Sequence, residues 1–136
     1  MKTSRNIIIV DDNVRFRTDL KMYIEKELHH MVIAEASNGE DFLALHNLQR
    51  ADVILMDIEM DRMDGFTATK EVLKNLYGLK IIAITMHSER MILRQLIEVG
   101  FRGCVFKSDI FKSLSTAINN VCKGHIYIPY KNMRIS

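Results

Sequence analysis

IIIVDDN, residues 7–13, decides the reading of this chain. Four apolar residues in a row, followed at once by Asp11 and Asp12, read as a buried strand that ends on two carboxylates. Three later runs end the same way: VILM (53–56) on Asp57, IIAI (81–84) on Thr85, and CVF (104–106) on Lys107. Helical stretches separate them, so the strands are expected to be parallel. In an open α/β sheet the ligand crevice lies at the carboxyl ends of the strands. Three carboxylates, a hydroxyl and an ammonium therefore meet at one edge, a set suited to a divalent cation and a phosphoryl group.

Working outward, the first helix is read from about Asn13 to His29, with Val14, Leu20, Ile24 and Leu28 on its buried face. MVIAEA (31–36) is a strand. SNGEDFLALHNL (37–48) is a short helix capped by Ser37 or Asn38, with Phe42, Leu45 and Leu48 inward. An Asp-rich loop, IEMDRMDG (58–65), leads to a helix over about Phe66 to Leu76, which Gly78 stops. Ser88 is expected to cap the fourth helix, which Gly100 ends. Ser108 is expected to cap the fifth, in which Ile110, Phe111, Leu114, Ile118 and Val121 repeat before Gly124. Five βα units predict a parallel sheet covered by helices on both faces. Residues 1–124 form one domain in this reading. Residues 125–136, with the only proline, are a tail or the start of a linker to an output domain not in this chain.

Composition excludes several classes. A hydrophobic share of 48% and a charged share of 26% over 136 residues describe one ordinary globular core. No apolar run approaches membrane-spanning length, and MKTSRN (1–6) runs into the first strand without a signal-peptide core, so a cytoplasmic location is expected. The net charge of +2, from dispersed residues such as Arg15, Arg17, Lys21, Arg90, Arg94, Lys131 and Arg134, gives no reason to expect direct nucleic-acid binding. Cys104 and Cys122 lack metal-ligand spacing, and the five histidines show no zinc pattern. No Gly-rich turn follows the first strand, which disfavours a dinucleotide-binding domain.

Each strand-end residue alone has an ordinary explanation as a helix cap, a surface lysine or a strand-forming threonine. Their joint placement on four of five strand ends is what points to a site. Clustered carboxylates repel and need a cation to stay ionised together. Oxygen-only donors select a hard ion, and Mg²⁺ is the expected one. A carboxylate beside such an ion can attack phosphorus and become an acyl phosphate. That transfer needs positioning and charge neutralisation, which Lys107 and Thr85 can supply.

IIIVDDN, VILMDIEM followed by DG, IIAIT and GFRGCVFKSD together resemble the receiver domain of two-component response regulators, over about Asn6 to Val121. The resemblance implies a flavodoxin-like (βα)5 three-layer sandwich with sheet order 2-1-3-4-5. It makes Asp57 the phosphoacceptor, Asp12, Asp57 and the Glu59 carbonyl the Mg²⁺ ligands, with Asp11 supporting the cation through water. Thr85 becomes the switch hydroxyl and Lys107 the phosphoryl-binding lysine. ITMHSE, GFRGCVFKSD and GHIYIP look most like receivers of regulators with a C-terminal helix-turn-helix DNA-binding domain. A histidine kinase is the implied partner, facing the first helix around Arg15, Phe16 and Arg17. A homodimer through the fourth helix, fifth strand and fifth helix is also implied, with Arg90, Arg94, Asp109 and Lys112 as surface candidates.

Three departures from the family pattern stand out. Cys104 occupies the position of the usual aromatic switch residue, with Phe106 or His87 as substitutes. The loop after the phosphoacceptor reads Met60-Asp61-Arg62 in place of the usual proline. Glu59 and His87 flank the phosphoryl position, where an altered acyl-phosphate lifetime is expected. Two other readings remain open: a pseudo-receiver that binds partners without phosphorylation, and a phosphohydrolase with an aspartyl nucleophile and Glu59 as its second acid.

Overall fold

The computed structural model describes residues 3–86 and 90–129. Its five strands are β1 (Asn6–Val10), β2 (Met31–Ala36), β3 (Val53–Asp57), β4 (Ile81–Thr85) and β5 (Gly103–Phe106). They pair in parallel in the order β2-β1-β3-β4-β5, the order the resemblance implies. The helices are α1 (Val14–Lys26), α2 (Gly39–Leu43), α3 (Gly65–Leu73), α4 (Arg90–Val99) and α5 (Ile110–Cys122).

Alternate residues of each central strand face opposite sides, so one sheet supports two cores. Ile8, Val10, Ile54, Met56, Ile81 and Ala83 pack toward Phe42, Val72, Leu93 and Leu96 of α2, α3 and α4. Ile7, Ile9, Leu55, Ile82 and Ile84 pack toward Leu20 and Ile24 of α1 and Leu114, Ile118 and Val121 of α5. Most of these side chains are fully buried, each contributing roughly 1.5–3 kcal/mol of transfer free energy. Both faces are covered, which is why the strand sequences show no polar alternation.

Several local expectations change. Val14 is 62% exposed. It lies six residues before Leu20, about 120° away around the helix, and the buried stripe instead runs through Phe16, Leu20, Tyr23 and Ile24. The helix read over residues 37–48 is only the five residues of α2, and Leu48 reaches the core from a separate 3-10 turn, Leu48–Arg50. Asn38, not Ser37, caps α2, its side chain accepting from the Asp41 N–H. Helix α3 ends at Leu73, well short of Gly78, and is capped by Asp64. Ser108 caps nothing: Lys107–Asp109 form a 3-10 turn that leads directly into α5. Phe111 is 47% exposed, stacked edge-on against Tyr23, whose hydroxyl donates to the Phe111 carbonyl at 2.7 Å. Gly100 ends α4 with a φ of 120°, as expected of a left-handed cap. The expected Ser88 cap, His87, the Arg90 side chain, Lys131 and Arg134 lie outside the described residues.

After α5 the chain turns back along the free edge of β5. The Cys104 N–H donates to the Tyr127 carbonyl and the Tyr127 N–H to the Arg102 carbonyl, both at 3.0 Å. This contact shields the start of an edge strand that would otherwise offer open backbone groups. Gly103 suits the approach, because a Cβ there would sit 3.3 Å from the Tyr127 oxygen and 3.1 Å from Val121.

Candidate functional site

Strand register sets the site. Val10 lies beside Met56, so the next residues in each chain, Asp11 and Asp57, emerge at the same sheet edge. Asp57 pairs with Ile84, and Thr85 with Phe106, which places the end of β4 and the start of the Lys107 turn beside them. All the residues expected from the strand ends are brought to this edge.

Asp11 is fully buried, Asp57 6% exposed and Thr85 1% exposed, while Asp12 is open to solvent. The carboxylates of Asp11, Asp12 and Asp57 can each present an oxygen within 4.8 Å of the others. Lys107 Nζ lies 3.1 Å from Asp11 Oδ2 and 3.9 Å from Asp57 Oδ2. That oxygen of Asp11 makes no directed hydrogen bond, so the ammonium is its compensating charge. Asp11 Oδ1 accepts from the Asn13 N–H at 2.8 Å, and Asp57 Oδ1 from the Glu59 N–H at 3.1 Å. Each carboxylate is thus fixed on one oxygen by backbone, leaving the other aimed into the cleft.

Burial raises the Asp57 carboxyl from 3.8 to about 7, reinforced by the Asp11 charge; the Glu59 N–H and Lys107 pull it back only in part. Near neutral pH the cation-free carboxyl is therefore only about half ionised, and added positive charge in the cleft would favour the carboxylate. Three carboxylates with only oxygen donors and one adjacent ammonium fit a hard divalent cation. The cleft beside them, about 380 Å³, is lined by Asp12, Ile58, Glu59, Met60, Asp61 and Asp64. Asp61 does add negative charge to this cleft.

Four supporting features were not read from the sequence. The Phe16 ring lies under the Lys107 ammonium, 4.3 Å from nitrogen to centroid. Phe16 is only half-buried there, so its outer edge stays accessible. An Arg17 guanidinium nitrogen donates to the Asp11 carbonyl, while its Nε pairs with Glu35 at 2.9 Å. Asp64 both caps α3 and lines the acidic cleft. Gly65 touches the back of β3: a Cβ at this position would lie 2.4 Å from the Asp57 carbonyl oxygen and 2.8 Å from Ile58 Cα. Only the DG pair hinted at these last two.

The departures also have structures. Cys104 is buried, and burial pushes its thiol up to about 12, so it is an inert apolar filler of the core. In the loop, Arg62 and Met63 take φ values of 54° and 76°, an uncommon conformation for residues with a Cβ. The Met63 carbonyl accepts from the Gly39 N–H at 3.0 Å, and Arg62 pairs with Glu40 at 2.7 Å. The loop that lacks a proline is thereby strapped to the start of α2.

Comparison with known proteins agrees with this geometry. The response regulator receiver domain family model matches residues 7–119. Response regulator UvrY of Escherichia coli K12 is 30% identical over 123 residues, covering 90% of this chain and 56% of UvrY. Transcriptional regulatory protein DegU of Brevibacillus brevis is 29% identical over 122 residues, covering 90% of this chain and 52% of DegU. A LuxR-family two-component response regulator from Aurantimonas sp. SI85-9A1 superposes with a TM-score of 0.85 at 26% identity, covering 92% of this chain and 89% of that one. The chain spans about half the length of the curated relatives it matches. No described helix is long and apolar enough to cross a membrane. With the sheet order, the acidic edge and these matches in agreement, the chain belongs to the response regulator receiver domain family.

Proposed function

We propose that Asp57 accepts a phosphoryl group and that this chain is the switch of a two-component regulator whose output is transcription. One observation carries the proposal: a buried carboxylate at the centre of a parallel sheet edge, beside two further carboxylates and 3.9 Å from a lysine ammonium. Asp12, Asp57 and the Glu59 carbonyl would hold Mg²⁺, with Asp11 supporting it through water. When bound, the ion supplies positive charge to the Asp57 carboxylate and to the incoming phosphoryl oxygens.

In the transfer, an Asp57 carboxylate oxygen forms a bond to phosphorus. The bond to the leaving group breaks, and its electron pair leaves with acetate or with the imidazole of a histidine kinase. Lys107 exchanges its contact with Asp11 for a phosphoryl oxygen, and Phe16 limits where its ammonium can sit. Thr85 donates its hydroxyl to another phosphoryl oxygen and so biases the surface of α4, β5 and α5 between two populations. Kinase docking is assigned to α1, output to that switching surface, which also carries the homodimer. Residues 1–124 are assigned to the receiver and 125–136 to a tail or the start of a linker, whose Tyr127 lies against the β5 edge, and the location is assigned to the cytoplasm. The only bond-making assigned to the chain is on its own Asp57, so it is a switch and not an enzyme acting on external substrates.

Beryllofluoride, which mimics a phosphoryl group on a carboxylate, tests the assignment. The wild-type protein is expected to show a Mg²⁺-dependent rise in melting temperature of about 5 °C or more with beryllofluoride, and Asp57→Asn none. A rise of equal size in both proteins would place the ligand elsewhere. No rise in the wild type would leave a phosphorylation-independent interaction module.

A further inference from the structure

The opposite end of the molecule holds a second polar cavity, of about 260 Å³, remote from the strand ends that carry the carboxylates. Thr3 and Arg5 enter it from the N-terminal arm, His30 from the approach to β2, Ser115 and Asn119 from α5, and Lys123 from the cap that ends that helix. The last three are spaced four residues apart and so form one stripe along that helix. Leu28 supplies an apolar wall, and among the described residues no carboxylate lines the cavity.

Two details distinguish this cavity from an ordinary solvated basic face. The Nε of Arg5 is buried and has no hydrogen-bond partner, although Arg5 is otherwise held in place, its backbone N–H donating to His30 Nδ1 at 3.1 Å. Among the described residues only three buried side-chain polar atoms lack a hydrogen bond. Of the others, Asp11 Oδ2 has the Lys107 ammonium beside it. A buried guanidinium N–H without an acceptor, on a residue that lines the cavity, is unusual, because buried donors are nearly always satisfied. The second detail is the complement of groups: a planar fork, an ammonium, two hydroxyls and a carboxamide. All can donate hydrogen bonds, and two carry positive charge at neutral pH.

We propose that this cavity binds a phosphate-class anion, with Arg5 and Lys123 supplying charge and Thr3, Ser115 and Asn119 supplying directed hydrogen bonds. A volume of 260 Å³ accepts inorganic phosphate with its water, or the phosphoryl end of a larger molecule such as a nucleotide. Occupancy ties the N-terminal arm and the end of α1 to the last turn of α5. The chain leaves α5 from that turn to pair at Tyr127 with the β5 edge, so an anion here steadies the path of residues 124–127 onto the sheet.

Backbone amide NMR of the full chain, titrated at constant ionic strength without divalent cations, reads the two ends of the molecule separately. With inorganic phosphate, saturable shifts are expected at Arg5, His30 and residues 115–123, with a dissociation constant on the order of 1 mM. Exposed Lys123 is changed first: Lys123→Gln is expected to weaken binding about tenfold while its melting temperature stays that of wild type. Arg5→Gln is expected to abolish saturation. A parallel titration with adenosine monophosphate separates the sources. Equal affinities identify free phosphate as the ligand, and at least tenfold tighter binding of the nucleotide identifies the end of a larger molecule. Shifts that stay linear for both anions, or that appear only around Asp57 and Lys107, would overturn the proposal. So would wild-type affinity in a folded Lys123→Gln protein that also survives in Arg5→Gln.

Discussion

Lys107→Ala is expected to slow phosphoryl uptake from acetyl phosphate by a factor on the order of 10²–10³, the usual loss when one preorganised charge at a reacting centre is removed. The ammonium is the only basic side chain paired with the carboxylate cluster among the described residues, 3.1 Å from Asp11 and 3.9 Å from Asp57. Its position is set from three sides, by the two carboxylates and by the Phe16 ring. Little reorganisation is therefore needed before it can meet a phosphoryl oxygen. Without it, the buried Asp11 carboxylate loses its compensating charge, and the variant is also expected to lose about 2 kcal/mol of stability in cation-free buffer. Initial rates of adduct formation, followed by intact mass at fixed Mg²⁺, measure the first effect. Chemical unfolding in the presence of chelator measures the second. A rate within about threefold of wild type would show that Lys107 does not contact the transferring group.

Asp57→Asn is expected to have the opposite effect on stability, raising it in the absence of a divalent cation. Burial and the Asp11 charge hold the folded carboxyl at about 7, against 3.8 in the unfolded chain. Below pH 3.8 both states keep the proton, and Asp57 costs nothing. As pH rises from 3.8 the unfolded state ionises first, so stability falls with pH until the folded carboxyl also ionises near 7. The full difference corresponds to a ceiling of about 4 kcal/mol. Asparagine cannot ionise. The variant should therefore exceed wild type by about 2–4 kcal/mol at pH 8 and by little near pH 4. Denaturant unfolding across that range checks both the size and the slope. Stabilities that run parallel with pH would contradict a desolvated, charge-crowded Asp57.

Much of the fold was legible because both faces of the sheet are covered. Each central strand is continuously apolar, and the first polar residue after it marks the strand end, where an α/β sheet places its ligands. Asp11, Asp57, Thr85 and Lys107 were found by that rule alone. Contacts between residues distant in sequence were not legible. Nothing in the sequence couples Phe16 to Lys107, or Arg17 to the Asp11 carbonyl, since both depend on how α1 lies across the sheet edge. Helix ends failed for a related reason. Ser108 has the chemistry of a cap, but the turn that carries Lys107 into the site uses Lys107–Asp109 as 3-10 backbone and leaves Ser108 no helix start to serve. Val14 misled because it is apolar, yet it sits about 120° around the helix from Leu20, which with Ile24 forms the stripe that the sheet buries.

The most direct test of the account is intact mass after incubation with acetyl phosphate and Mg²⁺, for wild type and Asp57→Asn in parallel. Wild type is predicted to gain one phosphoryl group that hydroxylamine removes, the behaviour of an acyl phosphate, and Asp57→Asn to gain none. An adduct of the same yield on both proteins, or none on the wild type, would contradict Asp57 as the phosphoacceptor.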